Sequence, residues 1–272
     1  MEFFFVEYQY VRDIVVSTMF TEFEKNQREF IAFQESIANC WGGGLTDGGQ
    51  GVGTGTLVRY ADRRLILTAL HVVQDNHSSN LRIAFRPAGS LQEAPLRQFG
   101  PKPTALLSGE PVNVLSVIED AVSDLAALVL NPSQQVRAPA DFYEVTELKD
   151  FQIADETSII FQGFPVDNAV AVGATTKAVG IAAEHTRYDS SLLKTLSSCY
   201  DPNHQFLFKY GWEGDLLPYG FSGAAAWGGK QPSALIWTAN PVLIGVITHY
   251  IKKHEVIIAA NQRSVLNLFS RL

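Results

Sequence analysis

The rhythm of apolar and polar positions changes partway along this chain. Residues 1–18 mix aromatic and aliphatic side chains (Phe3, Phe5, Tyr8, Tyr10, Val15, Val16) and read as a short strand followed by a helical turn. From Thr21 a helical period takes over. Thr21-Glu22-Phe23-Glu24 matches a capping box, in which the threonine hydroxyl and the glutamate three residues on satisfy each other's backbone donors. Phe20, Phe23, Phe30, Phe33 and Ile37 then recur at helical spacing with charged residues between them. This predicts a helix that stops at Trp41-Gly42-Gly43-Gly44. Its aromatic stripe is read as core packing, with a docking face for a partner as the alternative.

After the helix come eight glycines, at positions 42, 43, 44, 48, 49, 51, 53 and 55. The run Gly51-Val52-Gly53-Thr54-Gly55-Thr56 fails the GxGxxG spacing, and β-branched residues follow where a phosphate-binding helix would start. Nucleotide binding is rejected, and the run is read as a flexible loop leading into a strand. From there the pattern turns to short β-type segments divided by turn residues, as in a sandwich or barrel. Thr54–Tyr60 and Arg64–Thr68 read as a hairpin around Ala61-Asp62-Arg63. Further strands are expected at 81–85, 104–107, 112–118, 125–130, 158–163, 169–184, 205–210, 224–227, 242–250 and 255–259. The polar stretch from Pro132 to Pro139 reads as a linker. Asn261 is placed to cap a closing helix with Val265, Leu266 and Phe269 on its inner face. No internal repeat is visible.

Composition narrows the function. At 272 residues the chain can bury a sizeable core, and its 46% hydrophobic and 18% charged residues suit a globular protein. The net charge of -7 is dispersed, and no basic patch with interleaved aromatics occurs, so nucleic acid is not an expected partner. Cys40 and Cys199 have neither CxxC nor Cys/His ligand spacing and read as free buried thiols. The first residues lack the features of a signal peptide, and no apolar run reaches membrane-spanning length. The expectation is a cytosolic protein with no membrane partner.

Three segments carry candidate chemistry. Leu65-Ile66-Leu67-Thr68-Ala69-Leu70-His71 sets a histidine just past an apolar strand, with small Thr68 and Ala69 allowing close approach. Ser123-Asp124-Leu125-Ala126-Ala127-Leu128 sets a carboxylate at the mouth of another apolar strand, where burial is costly unless a donor such as an imidazole N–H meets it. Asp120 is the alternative acid. Gly220-Phe221-Ser222-Gly223 is a tight turn that lifts the Ser222 hydroxyl and lets the N–H groups of Gly220 and Ser222 point at one spot beside it. Such a donor pair suits the carbonyl oxygen of an acyl-transfer reaction. Read alone, the turn is an ordinary glycine-rich one.

Thr68-Ala69-Leu70-His71, Asp124-Leu125-Ala126 and Gly220-Phe221-Ser222-Gly223 together resemble the signature segments of chymotrypsin/trypsin-like serine peptidases, in that family's order. Gly53-Thr54-Gly55-Thr56-Leu57-Val58 resembles its opening strand, and Gly163-Phe164-Pro165 a strand end of its bacterial members. The similarity covers roughly residues 50–262. It implies a mostly β fold of two six-stranded antiparallel β-barrels. Residues 1–45 would form a helical extension, 46–135 the barrel with His71 and Asp124, and 136–272 the barrel with Ser222 and a closing helix. It further implies a bacterial-type serine endopeptidase acting on protein or peptide substrates, with Ser222 as nucleophile, His71 as base and Asp124 as its orienting acid. Gly220 and Ser222 would form the oxyanion hole, Leu216 the base of the specificity pocket and Thr248-His249-Tyr250 one wall. Hydrolysis of this kind needs no metal or cofactor. The chain departs from the family at Phe221, where many members have an aspartate that pairs with a newly cut N-terminus, so no such activation is expected. An apolar Leu216 favours a hydrophobic P1 residue, although Asp215 next to it would turn a pocket shifted by one residue toward Arg or Lys. Restraint of such an activity is expected, through a narrow substrate or through a regulatory partner that completes the site, for which the N-terminal helix is one candidate surface. The alternative function is a peptidase-like module that binds peptides or proteins without cutting them. A lipase-type hydrolase would need Gly-x-Ser-x-Gly and the order Ser, Asp, His, which this chain lacks.

Overall fold

The computed structural model describes residues 28, 42–47, 50–74, 81–85, 104–105, 110–133, 142–145, 153–155, 157–163, 169–172, 175–191, 196, 201–210, 218–230 and 241–272. The N-terminal helix with its capping box (Arg28 apart, which is helical), most of the Pro132–Pro139 linker, Gly163-Phe164-Pro165 beyond its glycine, and Leu216 with Asp215 lie outside the described residues.

The chain forms two β-sheets. The first contains β1 (Gly42–Asp47), β2 (Gln50–Tyr60), β3 (Arg63–Ala69), β4 (Arg82–Phe85), the short β6 (Glu110–Pro111), β7 (Val114–Asp120) and β8 (Leu125–Leu130), and β9 (Tyr143–Glu144) runs parallel to β2. The second contains β10 (Ser158–Gly163), β11 (Ala169–Val172), β12 (Thr175–Tyr188), β13 (Gln205–Lys209), β14 (Ala225–Lys230), β15 (Val242–Ile251) and β16 (Val256–Asn261), with β5 (Thr104–Ala105) paired to β12. A helical turn, α1 (Leu70–Gln74), follows β3, and α2 (Gln262–Phe269) closes the chain.

Both sheets close into barrels along the same path. In the second, β10 pairs with β12 and β14, and the ring runs β10-β12-β13-β16-β15-β14 back to β10. In the first, β1-β2-β3-β8-β7 continues backward along the chain through Val112 and Asn113 into β6, which pairs with β4, and β4 returns to β1. Val112 N–H donates to Leu81 O at 3.0 Å across that bend. With β6 and β7 counted as one bent strand, each barrel has the strand order 1-2-3-6-5-4. The expected pair of six-stranded barrels is therefore present, and each repeats the path of the other.

Burial explains the apolar runs. β3 and β8 are covered on both faces, and alternate residues serve different cores. Leu65, Leu67, Leu125, Ala127 and Val129 face a cluster in the seam between the barrels, with Ile160, Ala225, Trp227, Val246 and the inner face of α2. Ile66, Ala126, Leu128 and Leu130 face the first barrel's interior, with Leu45, Leu57 and Val72. Phe161, Phe206, Phe208, Phe221 and Ile247 fill the second. Each fully buried Leu, Val or Phe contributes about 1.5–3 kcal/mol, so the seam holds the barrels together by the same force that builds each core.

Two sequence expectations need correction. The glycine run is not a flexible loop: Gly42–Asp47 and Gln50–Tyr60 pair as antiparallel strands, from Gly42 opposite Thr56 to Asp47 opposite Gln50. Turn composition misled because glycine's low strand preference is overridden where neighbours crowd in, and a Cβ on Gly55 would lie 2.6 Å from Ile66 Cγ2. Residues 169–184 are not one strand either; β11 and β12 form a hairpin there. The closing helix is as expected, with Asn261 accepting from Ser264 N–H at 2.9 Å.

Tyr60 and Arg63 pair across a two-residue loop in which Ala61 and Asp62 have φ of 45° and 65°. That is the hairpin turn that favours Asn-Gly, and alanine carries strain there. Ala61→Asn is expected to stabilise the protein by about 0.5–1 kcal/mol, read as a higher denaturation midpoint.

Candidate active site

The turn between β7 and β8 ends at Asp124, whose φ of 53° is left-handed backbone that aspartate tolerates better than most residues. This conformation turns Asp124 back onto the start of α1. Its carbonyl accepts from Leu70 N–H at 3.0 Å. Its carboxylate takes His71 twice, Oδ1 accepting from the backbone N–H at 3.0 Å and Oδ2 lying 2.7 Å from the ring Nδ1. Only 17% of the carboxylate side chain is exposed, and these donors offset the cost of removing it from water. The alternative acid, Asp120, lies elsewhere: it is buried at the end of β7, with Arg271 Nη2 3.7 Å away. The sequence favours Asp124, which an apolar strand follows directly, and the turn's backbone conformation is what carries it to His71.

Ser222 arrives from the second barrel on the turn before β14. Its loop is tied to both barrels. Thr54 N–H donates to Ser222 O at 2.8 Å, Thr54 Oγ1 to Gly220 O at 2.7 Å, and Thr56 Oγ1 to Gly223 O at 3.2 Å. Gly223 N–H donates to Ile247 O at 2.7 Å on β15. Thr68 Oγ1 in turn donates to Thr54 O at 2.8 Å. These three threonines were missed as site residues. Thr68 was read as merely small; it is a buried donor beside Gly223. The signal available was β-branched hydroxyls in strands too apolar to leave them unpaired.

The serine loop and the start of α1 come close to each other between the barrels. A Cβ on Gly53 would lie 2.8 Å from Val72 Cγ2 and 2.9 Å from Ser222 O, so the segment carrying His71 and the serine loop approach to within one side chain. Ser222 Oγ donates to Thr248 O at 3.3 Å. The next residue, His249, places its ring 5.4 Å from that of His71 and its Nδ1 3.6 Å from Asp124 Oδ2. The carboxylate is thus flanked by two imidazoles, an arrangement the sequence did not announce. Burial lowers the His249 pKa below its ordinary value; Asp124 pulls it up and His71 pushes it down further.

Within the serine turn, Phe221 N–H donates to Pro218 O at 3.2 Å and Ala224 N–H to Phe221 O at 2.8 Å. The N–H groups of Gly220 and Ser222 have no hydrogen-bond acceptor among the described residues, with Gly220 at φ 95°. Phe221 itself is fully buried, edge-on to Phe161 at 5.1 Å and filling the space a side chain on Gly163 would need. Of the expected wall, Thr248 is buried and Tyr250 packs edge-on to Tyr210 and Tyr219, at 5.7 and 6.3 Å. The structure therefore groups Asp124 with His71 and His249, and ties Ser222, on the turn that also carries Gly220, to Thr248 beside His249; Tyr250 packs instead with the second barrel's aromatic cluster.

No protein-family profile matches this chain, and no curated protein matches it in sequence. Solved structures do. Human heparin binding protein superposes with a TM-score of 0.55 at 10% identity, over 85% of this chain and 90% of that one. A scabies mite inactivated protease paralogue superposes with a TM-score of 0.55 at 14% identity, over 89% and 96%. Among the described residues no helix is long and apolar enough to cross a membrane. At these identities the likeness concerns the course of the backbone, and it agrees with the two barrels and their shared strand order: this chain has the chymotrypsin-like double-barrel fold.

Proposed function

We propose that the chain is a serine endopeptidase that cleaves protein substrates through an acyl-enzyme. The observation that carries this reading is the double grip of Asp124 on His71, which holds the ring with its Nδ1 toward the carboxylate and so turns Nε2 outward as a base. In this mechanism His71 takes the Ser222 proton as Oγ attacks the scissile carbonyl, and Asp124 stabilises the imidazolium that results. The oxygen's developing charge is met by the N–H groups of Gly220 and Ser222, each such donor being worth about 10²–10³ in rate. The imidazolium then gives its proton to the leaving amine, and water repeats the cycle on the acyl group. Phe221 anchors the turn by packing in the second barrel's core, so we expect no N-terminal cleavage to be required.

A fluorophosphonate probe is expected to label the wild-type protein at Ser222, with no labelling of Ser222→Ala. Peptide-cleft binding without labelling would instead favour the non-catalytic module, a reading kept in view because one structural neighbour is named as an inactivated paralogue. For specificity, the Tyr250 aromatic group and Leu216 support a hydrophobic P1 residue. A P1-scanning peptide library tests this, and dominant cleavage after Arg or Lys would place Asp215 at the pocket base instead. A cytosolic location and a regulatory partner at residues 1–45 belong to the same proposal. Deleting residues 1–40 should alter regulation and leave the chemistry intact.

A further inference from the structure

The geometry points to a divalent-cation site at His71, Asp124 and His249, and we infer that Zn²⁺ bound there turns the serine site off. One ligand atom from each residue lies within 4.8 Å of the other two. Asp124 Oδ2 is the shared corner, 2.7 Å from His71 Nδ1 and 3.6 Å from His249 Nδ1. Tetrahedral zinc with bonds of about 2.0–2.1 Å places its ligand atoms about 3.3 Å apart. Of the three edges, the one to His71 must open by about half an ångström, the one to His249 close by a few tenths, and the third, between the two imidazoles, reach the same length from a separation within 4.8 Å. The two rings face each other at 5.4 Å between centroids, tilted by 41°. Two imidazoles and one carboxylate suit zinc rather than the oxygen-seeking calcium or magnesium. Asp124 Oδ1 already accepts from the His71 backbone N–H, an outer hydrogen bond that fixes the carboxylate for coordination. His249 is half exposed, so an ion can enter from solvent and keep a water as its fourth ligand.

The consequence follows from proton bookkeeping. Zinc on His71 Nδ1 displaces the hydrogen which that nitrogen shares with Asp124; as it leaves to water, Nε2 takes one up from water, so that the ring only changes tautomer and no net proton is released. The neutral ring then carries its hydrogen on Nε2 and has no lone pair there to receive the Ser222 proton. The ion also ties α1 of the first barrel to β15 of the second. Inhibition rests on the peptidase reading above, but occupancy of the site does not.

The test uses the full chain and Co²⁺ as a spectroscopic stand-in, with Zn²⁺ in competition. Wild type is expected to bind one Co²⁺ with the intense visible bands of a four-coordinate ion. Ser222→Ala should bind equally well, and His249→Gln about 100-fold or more weakly, beyond what loss of an outer-shell partner causes. X-ray absorption of the zinc-loaded wild type should show two imidazoles, a readout that needs no variant. Zn²⁺ should abolish fluorophosphonate labelling of the wild type, and a chelator should restore it. No saturable binding, or His249→Gln binding as tightly as wild type, would overturn the site. Cobalt binding that depends on His249 in a protein the probe never labels would uphold the site and sink the peptidase reading. Labelling insensitive to bound zinc would overturn the switch.

Discussion

Asp124→Asn is expected to lower kcat/KM near neutral pH by about four orders of magnitude, the scale set by the corresponding change in a well-studied triad. Asparagine keeps an oxygen that can accept from the His71 backbone N–H, the 3.0 Å bond that fixes the start of α1. Its amide nitrogen then faces His71 Nδ1, where the carboxylate Oδ2 now lies at 2.7 Å. A donor meeting a donor forces Nδ1 to become the acceptor and moves the ring hydrogen to Nε2, the wrong side for taking the Ser222 proton. The fold should survive, because asparagine tolerates the φ of 53° at this position at least as well as aspartate. Steady-state kinetics with a peptide substrate, beside matched thermal melting curves, separate the two effects. Activity within tenfold of wild type would mean that His71 is not held by Asp124 during turnover.

Gly223→Ala should be among the most damaging single-methyl changes. The residue has φ 90°, and an added Cβ would lie 2.0 Å from Thr54 O and 2.2 Å from Thr68 Oγ1. Neither neighbour can retreat. Thr68 Oγ1 is bonded to Thr54 O, both residues sit in interior strands of the first barrel, and Gly223 is itself tied to Thr56 and Ile247. Backbone strain alone costs about 1–3 kcal/mol, and the clash adds to it. A loss of about 3 kcal/mol or more is expected, lowering Tm by roughly 6–12 °C in a chain of this size. Fluorophosphonate labelling should fall with it, because the displaced turn carries both Ser222 and the Gly220 N–H. A Tm within 2 °C of wild type would show that the serine loop is not clamped by the first barrel as described.

The two variants probe different parts of one arrangement. Asp124→Asn changes which atom holds a proton and should leave melting unchanged; Gly223→Ala moves backbone and should change both. Their contrast separates chemistry from scaffold.

Much of this protein was already decided by residue order. The strands at 125–130 and 158–163 have the bounds that apolar runs between turn residues indicate, and Asn261 caps its helix through its own side chain. These are local effects: side-chain alternation, capping and turn chemistry act within a few residues. The three candidate residues stand out in the sequence too, since an unusual polar group beside an apolar strand or between glycines is visible in one dimension. Other features were settled only by closure of the barrels. Glycines 42–44 became a strand because β2 and β4 pair with β1 on either side. Asp124, already favoured over Asp120 by the apolar strand that follows it, is carried to α1 by a left-handed turn, while Asp120 stays near Arg271. The bonds from Thr54 and Thr56 to the serine loop and the approach of His249 to Asp124 join residues 125 to 168 positions apart. Contacts at that separation depend on how two barrels pack across an apolar seam, and packing is a property of the assembled surfaces that no local stretch of sequence encodes.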